Sequence, residues 1–253
     1  MTGQDGAAGR EPGGEAELLE TDHGPVRVLT LNRPDQRNAF TVGLYQALAG
    51  ALRRADADES VRAAVVTGAG AAFTGGTDLG ELAAIAAGQA PPGADQAFPR
   101  LLDALAEIDL PLVAAVNGPG VGLGATMLTF FDLVYISDTA RLKTPFAAMG
   151  VPPEAASSYL FPARMGWQPA ARMLLTGEWL TAGEAVATGL ATAACPAGSV
   201  LSDALAAAQR VAAHDRSATR TIKSLMRAGE RPAAAEARRR ENQAYAALFG
   251  RSS

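Results

Sequence analysis

Two glycine-rich turns constrain this chain more than any other feature. Phe73, Thr74, Gly75, Gly76, Thr77 and Asp78 follow the apolar run from Ala63 to Thr67 and lead into a segment that turns helical near Leu79. Asn117, Gly118, Pro119, Gly120, Val121, Gly122, Leu123 and Gly124 repeat the arrangement after Leu112 to Val116, ahead of a helix running towards Phe131. Short uninterrupted apolar runs of this kind read as buried strands, and strands that alternate with helices build an α/β fold. Glycine leaves the backbone N–H groups uncovered at the start of each helix, where the peptide dipoles favour negative charge. Taken singly, each turn is either a tight strand-to-helix connection or an anion site. If the two converge on one carbonyl oxygen, their N–H groups form an oxyanion hole, which stabilises an enolate more than the ground-state carbonyl.

The rest of the pattern extends this reading. Ala16 to Thr21 and Val26 to Leu31 alternate on either side of Asp22, His23, Gly24 and Pro25, which predicts a hairpin. Thr41 can cap a helix whose Leu44, Leu48 and Leu52 form one apolar stripe. Strands and helices keep alternating up to Cys195, and Thr181 with Glu184 matches a capping box. From Ala197 to Phe249 the chain is Ala-rich and helical in pattern, with Arg and Glu on the wet faces. We therefore expect a disordered tail over 1–16, an α/β core over 17–195 and a helical region over 196–253. The thin final helices should pack on the body or on a neighbouring subunit, with a solvated helical hairpin as the alternative.

Composition removes several classes of function. At 253 residues and 48% hydrophobic, the chain can bury one full core. A net charge of −4 has the wrong sign for a general nucleic-acid binder. One cysteine, Cys195, and two histidines, His23 and His214, cannot build a disulfide framework or a Cys/His zinc cluster. An oxygen-only Mg²⁺ site stays open on composition, and no metal is assigned. Met1 to Glu17 lacks the basic start and apolar stretch of a signal peptide, and the best apolar run, Met127 to Ile136, is broken by Asp132. A cytoplasmic protein without a membrane partner is expected. Gly120, Gly122 and Ala125, with Asp138 further on, match a dinucleotide fingerprint. Against it, Asn117, Gly118 and Pro119 separate the strand from those glycines.

Leu31, Asn32, Arg33 and Pro34, followed by Arg37, Asn38 and Ala39, resemble the first coenzyme A loop of the crotonase (enoyl-CoA hydratase/isomerase) superfamily. The two glycine turns resemble its oxyanion segments, and the likeness covers most of the chain. It implies a crotonase-type spiral of ββα units with a helical C-terminal trimerisation region, as trimers or hexamers. The implied substrate is an acyl-CoA thioester, with no cofactor beyond the coenzyme A that is part of it. Carried over by position, the oxyanion donors are the backbone N–H groups of Thr77 and Leu123. Substrate contacts fall on Arg37, Ala39, Gly75, Gly76, Gly122, Gly124, Phe146 and Lys223.

The family's hydratases use two glutamates whose places are taken here by Thr126 and Phe146. Neither side chain titrates near neutral pH, so hydration by the usual route is not expected. Lys143 to Phe146, Gly150 to Glu154 and Ser157 to Pro162 are most similar to the monofunctional Δ3,Δ2-enoyl-CoA isomerases. That branch implies Glu154 as the base, with Ala155 standing where it usually carries glycine. Read without the resemblance, Glu154 is a carboxylate satisfying the dipole of a helix that begins near Ala155. Asp78 reads as a helix cap and Glu81 as a weaker catalytic candidate. The expected activity moves a 3-enoyl-CoA double bond to the 2-position through a dienolate. The alternatives are a hydratase or other thioester-enolate enzyme, and a non-catalytic acyl-CoA-binding protein.

Overall fold

The computed structural model describes residues 16–249. The expected tail therefore lies outside the described residues, except for Ala16, whose carbonyl accepts from Asn32 Nδ2 at 3.0 Å. The strands are β1 (Leu18–His23), β2 (Val26–Leu31), β3 (Ala63–Gly68), β4 (Leu112–Val116), β5 (Gly120–Val121), β6 (Leu133–Ser137), β7 (Arg141–Lys143), β8 (Leu180–Thr181) and β9 (Ala193–Cys195). β1 and β2 form the predicted hairpin in antiparallel register from Leu18 opposite Leu31 to His23 opposite Val26. Its turn is narrower than expected, because Asp22 and His23 pair within the strand and Gly24, at φ 62°, makes the reversal. β3, β4, β6 and β9 then add in parallel, giving the order β1-β2-β3-β4-β6-β9. Each new strand joins beside its predecessor, so the chain winds as a spiral. β5, β7 and β8 form a separate small sheet.

Alternation along the strands divides the core. Leu29, Leu31, Ala64, Val66, Leu112, Ala114 and Val116 face the larger apolar cluster, which the helices between the strands cover. Val26, Val28, Ala63, Val65, Val113 and Ala115 face the other way, onto Ala204, Ala208 and Ala212 of the helix Val200–Ala212. Both faces are dry, which is why β3 and β4 read as continuous apolar runs.

The predicted caps form where their side chains allow. Thr41 Oγ1 accepts from the Leu44 N–H at 3.0 Å and starts the helix Val42–Ala57, which buries Leu44, Leu48 and Leu52. Asp78 caps the helix Leu79–Ala86, and Thr181 with Glu184 makes the full capping box on Ala182–Ala187. The last three helices have different fates. Val200–Ala212 seals the second sheet face, and Arg231–Phe249 folds back against the helix Ser157–Met165, with Ala237 fully buried in the main core. Between them, Arg216–Ala228 is inverted: Lys223 and Arg227 are its buried residues, while Ile222, Leu225 and Met226 are 57%, 70% and 77% exposed. Among the described residues no helix is long and apolar enough to cross a membrane.

Candidate active site

The two glycine turns are stitched together by backbone. Asn38, fully buried in a left-handed conformation, donates through Nδ2 to the carbonyls of Ala69 and Ala72 at 2.9 and 2.8 Å, fixing the approach to the first turn. Phe73 and Thr74 donate to Pro119 O at 3.1 and 3.2 Å, and Val121 N–H donates to Thr74 O at 3.0 Å. Contact is close enough to require glycine: at Gly76, φ 84°, a Cβ would lie 2.7 Å from Val121 O, and at Gly124 one would lie 2.7 Å from Thr74 Cγ2.

This stitching bears on the two expected oxyanion donors. Phe40 N–H donates to Gly76 O at 2.7 Å and Asp78 N–H donates to Phe40 O at 2.9 Å. Thr77, between them, uses neither of its own backbone groups in that ladder, as a parallel bridge requires. Leu123 is the first residue of the short helix Leu123–Thr126, so its N–H has no partner within the helix. Both donors thus sit on adjoining turns, outside the pairing that holds those turns in place. The side chain of Thr77 is held by Tyr45, whose hydroxyl lies 2.8 Å from Thr77 Oγ1 while its ring stacks on Phe40. Burial, and then the charges of Glu154 and Glu81, keep the Tyr45 phenol protonated far above its usual range.

Glu154 enters from the other side. The turn of helix Phe146–Met149 ends at Gly150, and Ala155 and Ala156 then take left-handed conformations, both at φ 59°, before the helix Ser157–Met165 begins. Glu154 Oε1 lies 4.0 Å from where a Cβ on Gly122 would stand, so this carboxylate faces the second glycine turn. Burial pushes its pKa up to about 7, and the negative charge of Glu241 adds to the rise. Expectation and structure differ on the helix start. The helix begins later than Ala155, and the carboxylate that bonds its first N–H groups, on Ala156 and Ser158, belongs to Glu241. Glu154 is not the capping carboxylate that the plain reading made it.

The other sequence candidates separate. Thr126 is fully buried, its Oγ1 without a hydrogen-bond partner, and Phe146 is buried at the head of its short helix, so neither expected hydratase position carries a titrating group. Asp78 accepts from Glu81 N–H at 3.1 Å and from Arg33 at 3.0 Å, bonds that hold its carboxyl below the usual range. Glu81 Oε2 accepts from Val42 N–H at 2.6 Å. Both acids near the first turn are therefore engaged in helix starts. Arg37 is exposed beside that turn, where its carbonyl accepts from Gly75 N–H at 2.8 Å, and Ala39 O accepts from Arg33.

Lys223 does not join the site. It is 4% exposed, with Nζ 2.7 Å from Leu110 O and 2.8 Å from Asp132 Oδ2, so its charge is used inside the fold and no phosphate contact is available to it. The resemblance implied a substrate contact for Lys223, and nothing local in the sequence shows that the charged side of Arg216–Ala228 faces inward. Two neighbours of the site were missed. Tyr45 lies next to the Leu44, Leu48 and Leu52 stripe and was not singled out, and Glu241 carries no local signal. Glu241 could have been suspected only from its sharing a helix face with Ala234 and Ala237.

The profile of the enoyl-CoA hydratase/isomerase family matches residues 21–253. Enoyl-CoA delta isomerase 2 of Rattus norvegicus is 41% identical over 196 residues, covering 77% of this chain and 49% of that protein. The 2,3-dehydroadipyl-CoA hydratase of Escherichia coli K12 is 32% identical over 235 residues, covering 92% and 90%. The chain thus spans about half the length of the isomerase relative and nearly all of the hydratase. Among solved structures, an enoyl-CoA hydratase/isomerase from Pseudoalteromonas atlantica superposes with a TM-score of 0.87 at 34% identity, over 93% of this chain and 92% of that one.

Proposed function

Because the chain belongs to the enoyl-CoA hydratase/isomerase family, we propose that it is a Δ3,Δ2-enoyl-CoA isomerase in which Glu154 is the single proton shuttle. The observation that carries this reading is the Glu154 carboxylate facing the second glycine turn, with Thr126 and Phe146 in place of the hydratase acids. In the proposed reaction the thioester oxygen accepts from the N–H groups of Thr77 and Leu123. Glu154 removes a proton from C2, and the electron pair of that C–H bond delocalises into a dienolate whose charge rests on the thioester oxygen. The protonated Glu154 returns the proton at C4, the double bond moves from C3–C4 to C2–C3, and the thioester carbonyl re-forms. A pKa of about 7 suits a group that must both take and give a proton near neutral pH.

Arg37, exposed next to the first turn, suits the phosphates of coenzyme A. The outward apolar face of Arg216–Ala228 suits association with further copies of the chain, as a trimer or a pair of trimers. A second reading, hydration, is favoured by the hydratase relative that matches nearly end to end. Incubation with 3-enoyl-CoA and 2-enoyl-CoA in deuterated water separates the two. Isomerisation with little hydration supports the first, and hydration at a comparable rate supports the second. Binding of CoA esters with neither reaction would identify a non-catalytic member.

A further inference from the structure

We propose that Glu241 is a positioning residue for Glu154: from the C-terminal helix it clamps the left-handed Ala155–Ala156 turn that presents Glu154 to the second glycine turn. This rests on the isomerase reading. Glu241 is 6% exposed, and every bond described for it goes to the segment just after Glu154. Its Oε2 accepts from Ala156 N–H at 2.8 Å, while Oε1 accepts from Ser158 N–H at 2.9 Å and from the Ser158 hydroxyl at 2.5 Å. Among the described residues no cation pairs with it. A buried carboxylate without a counter-ion is costly unless its lone pairs are met, and here N–H groups and the dipole of helix Ser157–Met165 meet them.

The clamp has a clear object. Alanine disfavours the left-handed region, and two consecutive buried alanines hold it only where their surroundings impose it. Glu241 grips the chain at the second of these alanines and again two residues on, directly downstream of Glu154. The grip is itself anchored, because Ala237, one helical turn earlier, is fully buried in the main core. The C-terminal helix thereby acts on the site through the turn that carries Glu154.

Glu241 also sets the field around Glu154. The charged and titratable groups coupled to Glu154 are Glu241 on the C-terminal helix and Tyr45 on the helix after Thr41, with Glu81 acting on Tyr45 from the first turn's helix. Tyr45 is neutral, so Glu241 is the negative charge that opposes ionisation of Glu154. Replacing it by a neutral group should lower the pKa of Glu154 and move the acid limb of kcat/KM to lower pH. A cap of merely structural value would leave that limb in place.

The test uses the full chain with Glu241→Gln, which keeps one acceptor, and Glu241→Ala, which keeps none. Two measurements are made on each: titration of the Glu154 carboxyl by infrared difference against Glu154→Gln, and isomerase kcat, KM and pH profile. The proposal expects a lower titration midpoint in Glu241→Gln. It also expects kcat to fall about tenfold or more with KM within about threefold, and a larger kcat loss in Glu241→Ala, as misplacement of a catalytic group produces. If Glu241→Ala does not fold, Glu241→Gln alone decides. A parent-like kcat overturns the proposal, whether or not the midpoint shifts. If the parent itself does not isomerise, the isomerase reading fails separately, and an unchanged midpoint in Glu241→Gln then overturns the role of Glu241 on its own.

Discussion

Replacing Glu154 by Gln should make the protein more stable at alkaline pH while disabling it. The carboxyl of Glu154 rises from an ordinary 4.5 to about 7, chiefly through burial. The folded chain then binds an extra proton between those two values, so stability falls as pH rises through that window, with no penalty below it and the full penalty above it. At about 1.4 kcal/mol per pH unit the penalty is about 3 kcal/mol, and solvent screening of a side chain that is only partly buried reduces it to about 2 kcal/mol. Glutamine keeps the shape and carries no charge. Glu154→Gln should therefore match the parent near pH 4 and exceed it by about 2 kcal/mol near pH 8, a Tm gain of about 4–8 °C for a chain of this size. Calorimetry of both proteins across that range reads the difference directly. Parallel Tm curves over that range would mean that Glu154 ionises as freely in the fold as in water and that burial does not hold its proton.

Gly76→Ala should separate the two turns, since its Cβ would meet Val121 O at 2.7 Å, costing about 2 kcal/mol or more and nearly all isomerase activity; Gly183→Ala, with open space around it, is the neutral control for urea melts and turnover. Arg37→Ala should weaken CoA-ester binding and flatten its salt dependence in calorimetric titrations. Lys223→Ala should instead leave affinity near the parent and cost about 3 kcal/mol of stability, because it strips Asp132 of a buried partner. Met226→Lys combined with Leu225→Glu, on the outward face of Arg216–Ala228, should reduce assembly size by light scattering; a monomeric parent would contradict the association reading.

What the sequence disclosed was what local chemistry decides. Thr41, Asp78 and the Thr181–Glu184 pair each satisfy N–H groups within a turn of their own position, so their caps were readable from spacing. The buried runs of β3 and β4 were readable because both sheet faces are dry, and the glycine turns because backbone approaches backbone there. The small β5, β7 and β8 sheet was not readable, since strands of two or three residues acquire their state from pairing across long stretches of chain. Nor was the left-handed turn at Ala155 and Ala156, which alanine does not announce. Glu241 acts on residues far earlier in the chain, and only the folded-back C-terminal helix brings it there. Lys223 misled for the same reason: its partners, Leu110 O and Asp132, lie on other elements.

In the proposed reaction one carboxylate, Glu154, carries one proton from C2 to C4. A 3-enoyl-CoA deuterated at C2, turned over once in ordinary water and analysed for label in the 2-enoyl product, tests it most directly. Deuterium should be transferred to C4 by the parent, and turnover should be at least about a hundredfold slower in Glu154→Gln with CoA-ester affinity within a few fold. Glu154→Gln isomerising at the parent rate would contradict it and move the base to another carboxylate, Glu81 or Asp78 first.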